Sequence, residues 1–357
     1  MKTLSEAHKK SFTRTMMRWN RSNTREMPWK GEKDPYKVWL SEIILQQTRV
    51  EQGRPYYERF IEKYPRVQKL AAASDEAVFR LWQGLGYYNR CKNMLAAARH
   101  IASGGGVFPD SYAEILALPG VGAYTAAAIA SFAFGLPHAV VDGNVQRVLA
   151  RYFGIACEVN SLVGKKTFAE LAEQVLDKKD PGAFNQAIMD FGATVCTPQQ
   201  PRCGDCPFRA DCYAATHGLT ASFPVKTPKA RPRQRYFTYL VLRYDNQVYL
   251  HKRGKGDIWQ NLHEFLLREG KTDAAQDAAF LATLSVSGTP ADGPVTDPFR
   301  QQLTHQIIFT TFREYRLKEP ARSLEMQGFF PVKITQLNRF AFPRTIVRYL
   351  EIKGWTK

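Results

Sequence analysis

Apolar residues recur at three- and four-residue spacing through roughly the first 220 positions, for example over residues 78–82, 94–100 and 145–153, with few β-branched alternations between them. Short clusters of Gly, Pro, Asp and Asn punctuate these stretches. The pattern predicts a helical domain or pair of domains. Residues 222–235 then hold Pro224, Pro228 and Pro232 with Lys226, Lys229, Arg231, Arg233 and Arg235 and no acidic residue, which predicts an extended, exposed linker. Beyond it, residues 236–244, 247–253 and 306–317 are rich in Tyr, Phe, Val, Ile and Thr and predict strands, with Tyr244-Asp245-Asn246-Gln247 as a hairpin turn. Residues 335–352 predict a helix near their end. A smaller α+β domain therefore closes the chain.

Composition narrows the class. The chain has 357 residues, 44% hydrophobic and 12% aromatic, which excludes general disorder and suits two or three domains with real cores. The longest apolar stretch, residues 125–141, is broken by Gly135 and Pro137 and is not a membrane span. The first ten residues lack an apolar signal core, so the expectation is no export, no membrane, and a cytoplasmic protein. Fifty Lys and Arg against 33 Asp and Glu leave a net charge of +17, which points to a polyanionic partner such as nucleic acid.

Four of the six cysteines, Cys196, Cys203, Cys206 and Cys212, fall in seventeen residues with C-x6-C-x2-C-x5-C spacing. Disulfides are improbable in a cytosolic chain, so the cluster reads as a metal site. Four thiolates suit either tetrahedral zinc or a 4Fe-4S cluster, and a single C-x2-C pair mildly favours the cluster. Either way the site is closed by four protein ligands and serves to fold its loop. Lys178, Lys179, Arg202 and Arg209 nearby would make that loop a phosphate-facing surface. Cys91 and Cys157, in helical surroundings, read as buried free thiols.

Leu118-Pro119-Gly120-Val121-Gly122 is a glycine turn feeding a helix over residues 125–134, where backbone amides and a helix amino terminus can grip a phosphate; an ordinary helix-helix turn has the same look. Two carboxylates stand out. Residues 36–48 read as a helix with Glu42 inside an apolar run, where desolvation would raise its pKa and make it a general acid; an exposed Glu42 paired with Gln46 or Arg49 is the structural reading. Val141-Asp142-Gly143-Asn144 opens another helix, so Asp142 or Asn144 reads as a cap, although one cap is needed and two candidates are present.

Together with Pro28-Trp29, Trp39-Leu40-Ser41-Glu42, Leu45-Gln46-Gln47-Thr48, Gly84-Leu85-Gly86-Tyr87-Tyr88 and Phe184-Asn185-Gln186-Ala187, these segments resemble, in order over about residues 20–215, the adenine DNA glycosylase (MutY) family of the helix-hairpin-helix glycosylase superfamily. The last third resembles that family's Nudix-like domain through Trp259-Gln260-Asn261-Leu262-His263-Glu264-Phe265. The resemblance implies a mainly α, two-lobed helix-hairpin-helix core with a four-Cys iron-sulfur loop, followed by a smaller α+β Nudix-like domain. Its boundaries would be a lobe of residues 1–24 and 138–221 carrying a 4Fe-4S cluster on the four cysteines, a six-helix lobe of residues 25–137, the linker 222–235, and the domain 236–357.

The activity implied is monofunctional excision of adenine mispaired with 8-oxoguanine or guanine in double-stranded DNA, by a monomer in base-excision repair. Glu42 would protonate adenine and Asp142 would stabilise the oxocarbenium-like sugar, with Tyr124 and Asn144 supporting them by hydrogen bonds. The extruded adenine would meet Arg25, Trp29 and Gln186, while Gln47, Thr48, Leu85 and Tyr87 would contact 8-oxoguanine or wedge in the stack, and Gly120 and Gly122 would hold phosphate. Endonuclease III-like relatives carry a Schiff-base lysine where this chain has Tyr124, and a phenol forms no imine, so efficient strand cleavage is not expected. Two departures stand beside the likeness. The family's Phe-Ser-His motif at 8-oxoguanine is Leu303-Thr304-His305 here, leaving Thr304 and His305 to make that contact, and no R-E-x-x-E-E motif supports a nucleotide hydrolase.

Overall fold

The computed structural model describes residues 5–23, 25–227, 231–291 and 298–356. Among the described residues twelve helices precede the first strand: α1 Glu6–Ser22, α2 Pro35–Leu45, α3 Val50–Lys63, α4 Val67–Ala71, α5 Asp75–Trp82, α6 Tyr88–Ser103, α7 Tyr112–Ala117, α8 Ala123–Phe134, α9 Gly143–Phe153, α10 Leu162–Val175, α11 Pro181–Thr194 and α12 Tyr213–Thr216. Capping chemistry starts many of them. Ser5, Asp34, Ser74, Ser111, Asp142, Ser161 and Asp180 each accept a first-turn amide with their side chains, and Pro35 and Pro181 occupy first-turn positions where a missing N–H costs nothing. Helix α2 stops at Leu45, short of the expected Thr48, because Gln47 turns into the left-handed region at φ 56°.

The chain divides into two compact units. One comprises Met1–Ala72 and Asn93–Pro228; the other comprises Ala73–Lys92 and Lys229–Lys357. In the first, α1, α9, α10 and α11 enclose a core of Phe12, Met16, Leu149, Phe168, Phe184 and Phe191, closed by Phe208 from the cysteine loop. Phe223 is also buried there, and the Val225 carbonyl accepts from the Val159 amide at 3.1 Å, so the start of the expected linker is pinned by one apolar side chain and one backbone hydrogen bond rather than exposed. Residues 228–230 of that linker lie outside the described residues.

In the second unit, strands β1 Arg233–Tyr244, β2 Gln247–Lys252, β3 His263–Glu264, β4 Leu266–Glu269, β5 Gly288–Pro290, β6 Phe299–Gln302, β7 Gln306–Leu317 and β8 Phe330–Lys333 form one sheet. Its main path runs β3-β2-β1-β7-β5, with β1 and β7 parallel from Arg233↔Gln306 to Arg243↔Arg316. The turn after Tyr244 closes the expected β1–β2 hairpin, Tyr244↔Gln247, with Asp245 at φ 50°. Strand β1 begins within the expected linker, at Arg233, because pairing with β7 runs back to Arg233 and stops at Pro232. Helices α13 Ala274–Thr283, α14 Arg322–Glu325 and α15 Arg344–Ile352 complete this α+β unit. Residues 73–92 join it through Gln83, which accepts from the Phe342 amide at 3.1 Å, and Glu76, which pairs with Lys252 at 3.1 Å. Among the described residues no helix is long and apolar enough to cross a membrane.

Candidate active site

Helix α2 is buried along most of its length, so its one carboxylate is carried into the interior. Trp39, Leu40 and Ile44 are fully enclosed and Glu42 is only 8% exposed. Burial pushes the Glu42 pKa up to about 7; the Tyr124 hydroxyl hydrogen-bonds the carboxyl and pulls the other way, and the nearby charge of Asp142 pushes upward again. Tyr124 sits in the first turn of α8, behind Gly120, whose φ of +76° makes the turn and where a Cβ would lie 2.5 Å from that of Asn93. Gly122 starts α8 without a side-chain cap, which leaves the amides of that turn uncovered by any capping side chain.

Asp142 does cap α9. One carboxylate oxygen accepts from the Asn144 and Val145 amides, both at 2.8 Å, and the other accepts from Asn144 Nδ2 at 2.7 Å. Capping consumes one oxygen and leaves the carboxyl on the wall of a cleft, so cap and candidate site are the same residue. Burial raises its pKa, while these amides and Arg147 oppose the rise. Asn144 is held in turn: its Oδ1 accepts from Arg147 Nη2 at 2.8 Å, and Arg147 also donates to the carbonyls of Cys196 and Gly192, each at 2.7 Å. The close approach of α11 that permits this depends on Gly192, where a Cβ would lie 2.7 Å from that of Asn144.

Glu42, Tyr124, Asp142 and Asn144 line one cleft of about 890 Å³, together with Arg25, Trp29, Gln47, Thr48, Gly122 and Gln186. This is large enough to hold a nucleobase with its sugar. Trp29 is nearly buried and meets Tyr57 edge-on at 5.3 Å. Gly120 lies behind the cleft rather than on its wall. Leu85, Tyr87, Thr304 and His305 belong to the other unit. There Leu85 is buried, whereas Tyr87 is 47% exposed with its hydroxyl 2.9 Å from that of Thr304; His305 is exposed, its carbonyl accepting from the Arg233 amide at 2.9 Å.

The four loop cysteines, all partly buried, ring a small hollow of about 30 Å³ with Arg151, Phe191 and Phe208. Arg151 ties this loop to α9, donating to the Thr197 carbonyl at 2.7 Å and reaching Cys196 Sγ at 3.5 Å. Among the described residues no three His, Cys, Asp or Glu side chains are arranged to hold a metal ion. Four thiols lining one hollow are a donor set that either a single zinc or a 4Fe-4S cluster can take. Arg202, expected to face phosphate, is exposed and donates from Nε and Nη2 to the Thr194 carbonyl at 3.1 and 2.5 Å. Cys91 is buried and Cys157 partly so.

Comparison with known proteins follows this geometry. Residues 40–174 match the HhH-GPD superfamily of base excision DNA repair proteins, and residues 238–351 match the NUDIX domain. Over 258 residues the chain is 37% identical to the adenine DNA glycosylase of Buchnera aphidicola subsp. Baizongia pistaciae (strain Bp), which covers 71% of this chain and 73% of that one. The chain belongs to the adenine DNA glycosylase family. Among solved structures it resembles a thermostable thymine-DNA glycosylase at 31% identity and TM-score 0.56, over 59% of this chain and 98% of that one. It shares its fold with endonuclease III in a non-covalent DNA complex, at 22% identity and TM-score 0.53, over 61% of this chain and 99% of that one.

Within this adenine DNA glycosylase family member, three polar residues at the site escape a reading of sequence alone. Asp190, nearly buried on α11, pairs with Lys30 at 2.9 Å, and both line the cleft. Its signal was available: an acidic residue inside the apolar run Ala187-Ile188-Met189-Asp190-Phe191 is the pattern that singles out Glu42. Arg147 gives no such signal, since two of its acceptors, the Gly192 and Cys196 carbonyls, lie 45 and 49 residues away in sequence.

Proposed function

We propose that this member of a base-excision repair glycosylase family hydrolyses the N-glycosidic bond of adenine mispaired with 8-oxoguanine or guanine in double-stranded DNA. The observation that carries the reading is the meeting of Glu42 and Asp142, from helices 100 residues apart, on one cleft of nucleoside size. A carboxyl with a pKa near 7 keeps a proton to give to the adenine ring as its bond to the sugar lengthens. The Asp142 carboxylate then faces the developing positive charge on the sugar, its orientation fixed by two amides and Asn144, and supports the attack that follows. Tyr124 orients Glu42. Arg25, Trp29 and Gln186 are the residues assigned to the extruded adenine, and Gln47, Thr48, Tyr87, Thr304 and His305 to the opposite base and the stack. Leu85, being buried, is assigned to support of that turn.

Cys196, Cys203, Cys206 and Cys212 are the residues that would hold a 4Fe-4S cluster, whose contribution when bound is to order the loop rather than to take part in bond cleavage. The reading is monofunctional. Tyr124 forms no imine, and Lys30 on the cleft wall is engaged by Asp190.

Incubation with a duplex carrying adenine opposite 8-oxoguanine, followed by alkali, tests the reading. Cleavage at the adenine only after alkali is the expected result. Strand breaks without alkali would favour a lyase, and an intact strand after alkali would leave a DNA-binding protein without this activity.

A further inference from the structure

The turn between α5 and α6 presents Tyr87 in a demanding conformation. Gly84 and Gly86 have φ of +91° and +79°, and Tyr87 itself has φ +50°, a region that side-chain-bearing residues seldom occupy. An exposed aromatic ring on such a backbone should swing freely unless something holds it. Two contacts do. The Arg90 guanidinium lies 5.3 Å from the centre of the Tyr87 ring and 5.2 Å from that of Trp82, so one planar cation is shared between an exposed ring and a fully buried one. Arg90 Nη2 also donates to the Gly86 carbonyl at 3.3 Å, the same oxygen that accepts from Trp82 Nε1 at 2.9 Å. At the far end, the Tyr87 and Thr304 hydroxyls are 2.9 Å apart.

We propose that Arg90 is a positioning residue that sets the Tyr87 ring upright before DNA arrives, with Thr304 fixing its tip. The inference rests on the reading of Tyr87 as the side chain inserted into the base stack. Its physical content is preorganisation: an aromatic plug whose rotamer is already chosen loses less freedom on insertion than a mobile one. The effect of Arg90 passes through the Tyr87 ring it lies against. The shared guanidinium also explains why a lysine would serve less well, since a point charge on a flexible stem cannot lie flat between two rings.

The test is a double-mutant cycle of Arg90→Leu and Tyr87→Leu with two readouts. In a Glu42→Gln background, 2-aminopurine beside an A:8-oxoguanine pair reports local unstacking without base loss. With native Glu42, single-turnover excision reports the consequence. Arg90→Leu is expected to reduce the fluorescence rise and slow excision about tenfold, the size of a desolvated cation–π contact with its hydrogen bond. In the Tyr87→Leu background it should change neither. Arg90→Lys should give a smaller loss that also vanishes without Tyr87, and it supplies the cycle if the leucine variant does not fold. Equal losses with and without Tyr87, or an unchanged fluorescence rise, would overturn the assignment. Should native protein unstack the duplex but release no adenine, the glycosylase reading falls while the cycle still decides the role of Arg90.

Discussion

Arg147 donates to the Asn144 side-chain oxygen at 2.8 Å, and this single bond decides which end of the Asn144 amide faces Asp142. With its oxygen claimed, the amide turns its NH₂ to the Asp142 carboxylate at 2.7 Å. Asn144→Asp keeps the shape but sets an acceptor against an acceptor. Excision should fall by about a hundredfold, the scale of losing one oriented donor at a charged centre. Single-turnover rates check this; a variant within a factor of three of native would break the link between the amide and the chemistry.

Asp142 combines capping and chemistry, and the two can be separated. Asparagine caps a helix about as well as aspartate, so Asp142→Asn should unfold within about 0.5 kcal/mol of native while losing activity by at least about a hundredfold. Asp142→Ala should lose the activity and about 1 kcal/mol besides. Denaturant melts of the pair beside their excision rates give the comparison; equal melts for Asn and Ala would remove the cap from the account.

Glu42 gives a pH signature of definite sign. Its pKa is raised by burial from 4.5 to about 7, so the folded protein binds the proton more tightly than the unfolded chain. Stability from this group is complete below pH 4.5 and is lost as pH rises to 7, roughly 3 kcal/mol in all. Excision should decline as pH rises through about 7 and the acid form disappears. Glu42→Gln, neutral at every pH, should abolish excision and flatten the stability profile between pH 4.5 and 7. A native excision rate unchanged from pH 6 to 9 would contradict the assignment.

The contrast between Glu42 and Arg147 shows what a sequence makes legible. A carboxylate within an apolar helical run marks a candidate for burial beside the exposed reading of Glu42 paired with Gln46 or Arg49, and the strand-rich third announces its sheet through alternating aromatic and β-branched residues. The end of α2 is not legible, since Gln46 leaves the helical region at ψ 114° and Gln47 takes a left-handed φ of 56° that glutamine seldom adopts. Phe223 within a proline-rich basic stretch was read with its neighbours, and its burial depends on a core assembled from α9 and the cysteine loop. Arg147 and Arg151 were illegible for the same reason: backbone carbonyls carry no sequence signature, and only the fold brings those of Cys196, Thr197 and Gly192 to α9.

Those two arginines make the cysteine loop part of the support of Asp142, and this yields a prediction about the metal. Cys196 gives its carbonyl to Arg147, one turn beyond Asn144, so disorder in the loop would free the guanidinium that orients the Asn144 amide. Protein purified without oxygen should be yellow-brown and contain about four irons with as many sulfides. Cys203→Ser should lower the iron content, the melting temperature and the excision rate together, whereas Asn144→Asp should lower the rate with iron retained. The order of failure matters: iron loss should precede the loss of excision, and helical circular dichroism should largely persist, because most of the core around Phe12, Phe168 and Phe184 comes from α1, α9, α10 and α11, with the loop adding Phe208 and the flanking Cys196, Cys206 and Cys212. A colourless, zinc-replete protein with full activity would refute the cluster, and an iron-depleted protein with native excision would cut the loop out of the support of Asp142.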